Sequence, residues 1–211
     1  MKIYYDPITV NCRKVLAGMA LLGVEYETGK IDYFAGGHKE PSYTAINPNA
    51  SIPALTDGDF VLWESNAILQ YAADKSGPTS AYPQDPQMRA DINRWHLWEA
   101  SQWFPSCYVY LVENLVKPMT GGEPDESTLE AQGPTFHHLA GILEQQRLDH
   151  QPWLCGDEVT IADIAVAAPM HLHAHAKLPL DSHPHLVAWM ERVEALPCWQ
   201  STDVRPLLGL S

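Results

Sequence analysis

The stretch DPITVNCRKV, Asp6 to Val15, places a hydroxyl (Thr9), an amide (Asn11) and a thiol (Cys12) within four positions. Each could engage a sulfur: the hydroxyl and the amide by donating to a thiolate, the cysteine by becoming one. A second candidate pair is Glu64-Ser65 in WESNAIL, where a helix is expected to start. An acidic residue and a hydroxyl are ordinary caps there. The same helix-start N–H groups, with the Ser65 hydroxyl, also bind a carboxylate, and Glu64 can accept from an ammonium. Together they suit the head group of an α-amino acid.

Ile52-Pro53 in NPNASIPAL stands just before a strand-like segment. A trans bond is the default; a cis bond would turn the Ile52 backbone groups outward to pair with an extended peptide. In GGHKE, His38 and Lys39 read either as solvated charge or as the local cations for another carboxylate. Elsewhere the structural reading is better. Thr160 and Asp163 in TIADIAVAAPM form a capping box ahead of a buried helix. In HLHAH only His171 and His175 share a helical face, and no carboxylate completes a ligand set, so no metal is expected. Trp103, Phe104 and Tyr108, in an aromatic-rich helix, are core residues or the lining of an apolar pocket.

The 211 residues hold 13 Lys plus Arg against 26 Asp plus Glu, a net charge of −13. That field repels nucleic acid and anionic lipid, and no basic stripe offsets it, so neither nucleic acid nor membrane is an expected partner. No apolar run approaches the roughly 20 residues that span a bilayer. The opening MKIYYDP lacks the apolar region of a signal peptide, so a cytoplasmic location is expected. Cys12, Cys107, Cys155 and Cys198 lie far apart without a CxxC pair and read as free thiols.

These residues need elements to hold them. Lys2–Tyr5 and Glu25–Ile31 read as strands, Arg13–Leu22 as a helix ended by Gly23, and His38–Ala45 as weakly helical. Ala54–Thr56 and Phe60–Leu62 flank an Asp-Gly turn, and Glu64–Ala73 closes the half as a helix. The order βαβαββα predicts a small mixed sheet with helices, an α/β domain over residues 1–76. SGPTSAYPQDP supplies a linker over 77–86. Beyond it, Gln87–Val116, Ser127–Leu148, Ile161–Ala176 and Pro184–Leu196 have helical spacing, predicting an all-α domain over 87–211.

The order and spacing of these motifs resemble the cytosolic glutathione transferases from end to end, most nearly bacterial members of theta or nu type. NPNASIPAL is similar to the family's Asn-Pro-x-x-x-x-Pro-x-Leu, ESNAIL to its Glu-Ser-x-Ala-Ile, and LCGDEVTIADIAVA to its Gly-Asp-x-x-Thr-x-Ala-Asp signature. The resemblance implies a thioredoxin-like N-terminal domain, a helical-bundle C-terminal domain carrying the hydrophobic-substrate site, and glutathione as co-substrate. It implies a cis-Pro53 with Ile52 pairing to the cysteinyl unit, Glu64 and Ser65 on the γ-glutamyl end, and His38 and Lys39 on the glycine carboxylate. A homodimer is implied too, with Glu99 or Gln102 reaching the partner's γ-glutamyl group.

The activity implied is thiolate stabilisation by Thr9 or Asn11 and conjugation to a small hydrophobic electrophile, as in detoxification. Where Thr9 stands, many members carry serine; Tyr5 is a minor candidate for the same task. Thr-x-Asn resembles nu-like members that favour disulfide reduction with glutathione, an alternative in which Cys12 could form a mixed disulfide. A non-catalytic binding module is the third reading, against which the complete peptide clamp argues.

Overall fold

The computed structural model describes residues 1–210. They fall into two compact units, one built from Met1–Pro83 and the chain from Pro197 onward, the other from Gln84–Leu196. The expected helical domain of 87–211 therefore loses its tail, which packs with the α/β unit instead.

In the first unit β1 (Lys2–Tyr5), α1 (Val10–Leu22), β2 (Glu27–Lys30), a short α2 (Pro41–Thr44), β3 (Ala54–Asp57), β4 (Phe60–Trp63) and α3 (Ser65–Ser76) follow in order. The sheet order is β2-β1-β3-β4, with β1 parallel to β2 and the other pairs antiparallel. This is the mixed, thioredoxin-like sheet expected. Strand alternation divides its side chains between two faces. Ile3 and Leu55, paired in register, pack with Val15, Met19, Ile68 and Ala72 of α1 and α3. Tyr4 and Ala54, the next pair, belong to a second cluster with Tyr43, Ile52 and Cys12.

The β3–β4 turn is the expected Asp-Gly hairpin, with Gly58 at φ 62°. Asp57 at its start accepts from Tyr71 (2.7 Å) and Lys75 (2.6 Å) of α3, which hold its carboxyl down at about 2, Lys75 foremost. The helix α1 ends at Gly23 in the left-handed conformation (φ 65°) that glycine adopts freely.

Helices α1 and α3 approach so closely that a Cβ at Gly18 would stand 2.2 Å from Leu69 Cδ2. The tail adds α10 (Pro197–Gln200) and α11 (Arg205–Leu208) to this unit. Trp199 of α10 lies under the Arg13 guanidinium, 4.4 Å from its ring centre, and its carbonyl accepts from Arg13 Nη2 at 3.4 Å.

The second unit is helical. α4 (Pro86–Trp98), α5 (Phe104–Leu111) and α6 (Lys117–Met119) form one continuous run joined by wider π-type turns at Glu99–Trp103 and Val112–Val116. Each coincides with a proline: the rings of Pro105 and Pro118 crowd the carbonyl four residues back, Ser101 or Asn114, and both carbonyls fall inside a wide turn. α7 (Glu126–Leu143) ends in a similar wide turn, Glu144–Leu148. α8 (Ile161–Ala167) starts with the expected Thr160–Asp163 capping box. Asp163, fully buried, also accepts from Leu154 N (2.9 Å) and Trp189 Nε1 (3.0 Å).

The helix expected over Ile161–Ala176 stops at Ala167, because Pro169 brings a 3₁₀ turn at Ala168–Met170. α9 (Pro184–Glu194) begins on an unforeseen cap, the Glu144 carboxylate accepting from His185 N (3.0 Å) and Leu186 N (2.8 Å).

The α1–α3 contact yields a test of the packing. Gly18→Val should destabilise the folded chain by about 1–3 kcal/mol, since the added carbons would force the fully buried Leu69 side chain from its place. A urea titration should show a lower midpoint.

Candidate functional site

The turn between β1 and α1 is organised by a residue the sequence reading left without a role. Asp6 is buried, and its carboxylate accepts from Ile8 N (3.1 Å) and from Tyr33 N (3.1 Å). The first bond closes an Asx turn; the second ties this turn to the loop that carries His38. Thr9 is the N-cap of α1, but its hydroxyl donates backward to the Asp6 carbonyl at 3.1 Å instead of capping the helix. The N–H groups of the first helical turn have no partner within the helix and form a donor site for negative charge.

Ser65 opens α3 directly beside this turn. Its hydroxyl lies 3.4 Å from Asn11 Oδ1, to which it donates, and accepts from Lys14 Nζ at 3.2 Å. Lys14 is 1% exposed, so a cation sits inside the seam between the two helix starts. Burying an ammonium is costly unless polar partners face it, and the Ser65 hydroxyl is such a partner. Sequence reading missed Lys14. One signal was available: it lies four positions before Gly18, on the face that α3 approaches.

Glu64 precedes Ser65, exposed and with φ 73°, a left-handed conformation rare outside glycine. The backbone thus changes direction where Glu64 projects beside the start of α3.

The Ile52-Pro53 bond is cis. Ile52 stands just outside the β3 ladder, whose pairing begins at Ala54. The loop before it is fixed by Asn47, fully buried, which donates to Ser51 O (2.7 Å) and accepts from Asn49 N (3.1 Å). Tyr43 donates to the same Ser51 carbonyl at 2.6 Å. His38 is buried and stacks on Tyr33, ring centres 4.2 Å apart, with its Nδ1 unpartnered, whereas Lys39 is exposed. The two cations expected side by side thus occupy different environments. Gly37 is needed beneath them, since a Cβ there would come within 2.9 Å of Asp32 O.

Cys12 lies buried beneath this turn, against Thr9 and the Asp6 backbone. It has no exposed area, packs in the cluster of Tyr43, Ile52 and Ala54, and burial pushes its thiol up to about 12 against the opposing pull of Thr9 and the Asp6 backbone. A thiol held neutral there is a packing residue under the Ile52 loop; this corrects the expectation that it could act as a thiolate. The helix start that should have lowered its pKa is outweighed by desolvation. Tyr5 packs against the same two clusters.

Trp103 is likewise a core residue. It is fully buried, stacks on Trp98 and donates from Nε1 to Val166 O at 3.0 Å. Phe104 and Tyr108 form a stacked pair, half-buried and exposed respectively. Glu99 is fully buried, which corrects its expected reach toward a partner, while Gln102 is exposed. Among the described residues no group of three or more His, Cys, Asp or Glu is placed to hold a metal ion. None of the described helices is long and apolar enough to cross a membrane.

Two family models match this architecture: "Glutathione S-transferase, N-terminal domain" over residues 2–74 and "Glutathione S-transferase, C-terminal domain" over 101–197. A protein of Oryza sativa subsp. japonica named probable glutathione S-transferase GSTF2 is 35% identical over 206 residues, covering 95% of this chain and 94% of its own. Human glutathione transferase theta-2, solved in complex with glutathione and an unknown ligand, superposes with a TM-score of 0.87. It is 28% identical, covering 99% of this chain and 87% of its own. A glutathione S-transferase-I bound with lactoylglutathione gives 0.86 at 27% identity, covering 96% and 98%. The chain belongs to the glutathione S-transferase family.

The buried cysteines make a direct prediction. All four are free and buried, and burial raises each thiol, Cys12 and Cys155 to about 12. The native protein at pH 8 should show no fast-reacting thiol toward an aromatic disulfide reagent, and all four should titrate after denaturation.

Proposed function

We propose that this chain binds glutathione between the starts of α1 and α3, lowers the pKa of its thiol, and transfers the sulfur to a hydrophobic electrophile. The carrying observation is the convergence of Thr9, Asn11, Lys14 and Ser65 on two adjoining helix N-termini. The γ-glutamyl carboxylate would take the Ser65 hydroxyl and the α3 N–H groups, and Glu64 its ammonium. Ile52 would pair its backbone with the cysteinyl unit, and His38 with Lys39 would receive the glycine carboxylate.

A free thiol titrates near about 8.5, so little is ionised at neutral pH. Thr9 would turn its proton from the Asp6 carbonyl to the sulfur, with Asn11 and the α1 N–H groups adding donors. The thiol proton leaves to water. The thiolate attacks the electrophilic carbon, a C–S bond forms, and the leaving group departs with its bonding pair. No general base is needed.

Disulfide reduction through a mixed disulfide on Cys12 loses its support, since that thiol is buried and neutral. Disulfide exchange by bound glutathione itself would use the same thiolate. Phe104 and Tyr108 remain the proposed lining for the apolar substrate. A cytoplasmic homodimer is the proposed working form.

Thr9→Ala should lower kcat/KM with a chloronitroarene by about 10²-fold and raise the pKa of bound glutathione, read from its ultraviolet thiolate absorbance. Thr9→Ser should restore most of the activity. Ser65→Ala should raise KM for glutathione about tenfold with a smaller change in kcat, as the loss of a bond to a charged group. Calorimetry showing no glutathione binding by the wild type would overturn the proposal.

A further inference from the structure

Lys14 is buried as deeply as the apolar residues of α1, with 1% of its surface exposed. Its Nζ lies 3.2 Å from the Ser65 hydroxyl oxygen, across the seam between α1 and α3. Charged side chains are almost never fully buried unless polar groups meet them, so an ammonium at this depth needs a local reason. Binding a carboxylate through Ser65 and the α3 N–H groups does not by itself call for a lysine behind the serine.

Its place follows from the packing. Gly18 of α1 meets Leu69 of α3, and four positions earlier on each helix Lys14 meets Ser65. Residues four apart share a helical face, so one turn of close approach sets the ammonium against the hydroxyl. Asn11, three positions before Lys14, lies on the same face and completes the group.

The chemistry turns on the direction of one proton. An ammonium only donates, whereas a serine hydroxyl has one proton and two lone pairs. Toward Lys14 the Ser65 oxygen therefore accepts, and its proton points away from the seam. That proton goes to Asn11 Oδ1 at 3.4 Å, a long bond to a neutral amide carbonyl. A carboxylate at the start of α3 is the better acceptor, since hydrogen bonds to an ion are about twice as strong as those between neutral groups. Ser65 then turns its proton from Asn11 to the ion and keeps the bond from Lys14. The ammonium behind the hydroxyl adds an attraction of the right sign.

We infer that Lys14 is a positioning residue for the α-carboxylate of the γ-glutamyl unit: it fixes the Ser65 oxygen as an acceptor on its inner side and so aims the Ser65 proton at the bound ion. The inference rests on the glutathione reading of this site. The sulfur is held by Thr9 and the α1 turn, so Lys14 acts on the binding of glutathione and not on the transfer step.

A cycle of variants tests this by calorimetry of glutathione binding to the intact chain. Lys14→Met should weaken glutathione about tenfold. With a chloronitroarene its KM for glutathione should rise by the same factor and kcat stay within about twofold. In a Ser65→Ala background the same substitution should cost less than about twofold, because the hydroxyl through which Lys14 acts is gone. The analogue 4-aminobutanoyl-Cys-Gly lacks only the α-carboxylate; its kcat/KM, which needs no saturation, should be the same within about twofold for wild type and Lys14→Met. Should Lys14→Met not fold, Lys14→Gln should show the same selective loss, since its amide accepts as well as donates. An undiminished loss in the Ser65→Ala background, an equal loss with the analogue, or a fall in kcat at unchanged KM would each overturn the inference and leave the glutathione reading standing. Wild type that binds no glutathione would overturn both.

Discussion

Two helices of the α/β unit touch where one of them has no side chain. At Gly18 the backbone of α1 lies against Leu69 of α3, with no room for even a methyl group. That contact sets the separation of the two helices, and the rest of the candidate site depends on it. Eight residues or fewer away along each helix, Asn11, Lys14 and Ser65 come within hydrogen-bonding range. A wider spacing would draw the Ser65 hydroxyl away from Lys14 and Asn11 and separate the two helix starts. Packing and electrostatics are here one constraint: a small residue in the apolar seam allows a charged one at its end.

The chemistry follows a division of labour between protein and ligand. The reactive sulfur comes with glutathione, and the chain keeps its own thiols neutral by burial. In the proposed reading its contribution is an arrangement of donors: a hydroxyl at Thr9, the first-turn amides of α1 and α3, and the side chains of His38, Lys39 and Lys14. Such donors stabilise an anion strongly only if they are already oriented. Asp6 provides that orientation, since one carboxylate holds the turn bearing Thr9 and the loop leading to His38. Asn47 performs the same task for the loop that ends at Ile52.

Local features were the legible ones. The strand Lys2–Tyr5, the Asp-Gly hairpin and the Thr160–Asp163 cap each follow from a few adjacent residues, and the structure contains them. The cis bond at Pro53 came through family resemblance, since its residues alone leave trans as the default. What escaped depends on burial, which residue type predicts poorly. Lys14 drew no role from the sequence and is buried; Cys12, one of three candidates in its turn, is buried too. Trp103, Phe104 and Tyr108 share one helix, and only its rotation sends Trp103 into the core. Proline mattered more than spacing suggested: Pro169 ends α8 early, and Pro105 and Pro118 stand just after the wide turns of the long helix.

The chain from Pro197 onward returns to the α/β unit, where Trp199 lies under Arg13. Arg13 precedes Lys14 and follows Cys12 in the first turns of α1, so one wall of that helix is supplied by residues made almost two hundred positions later. During synthesis the α/β unit cannot reach its final packing until the helical unit has emerged. The α/β unit is thus discontinuous in sequence, and its first helix waits for Trp199, a residue made after the whole helical unit, before that wall is in place.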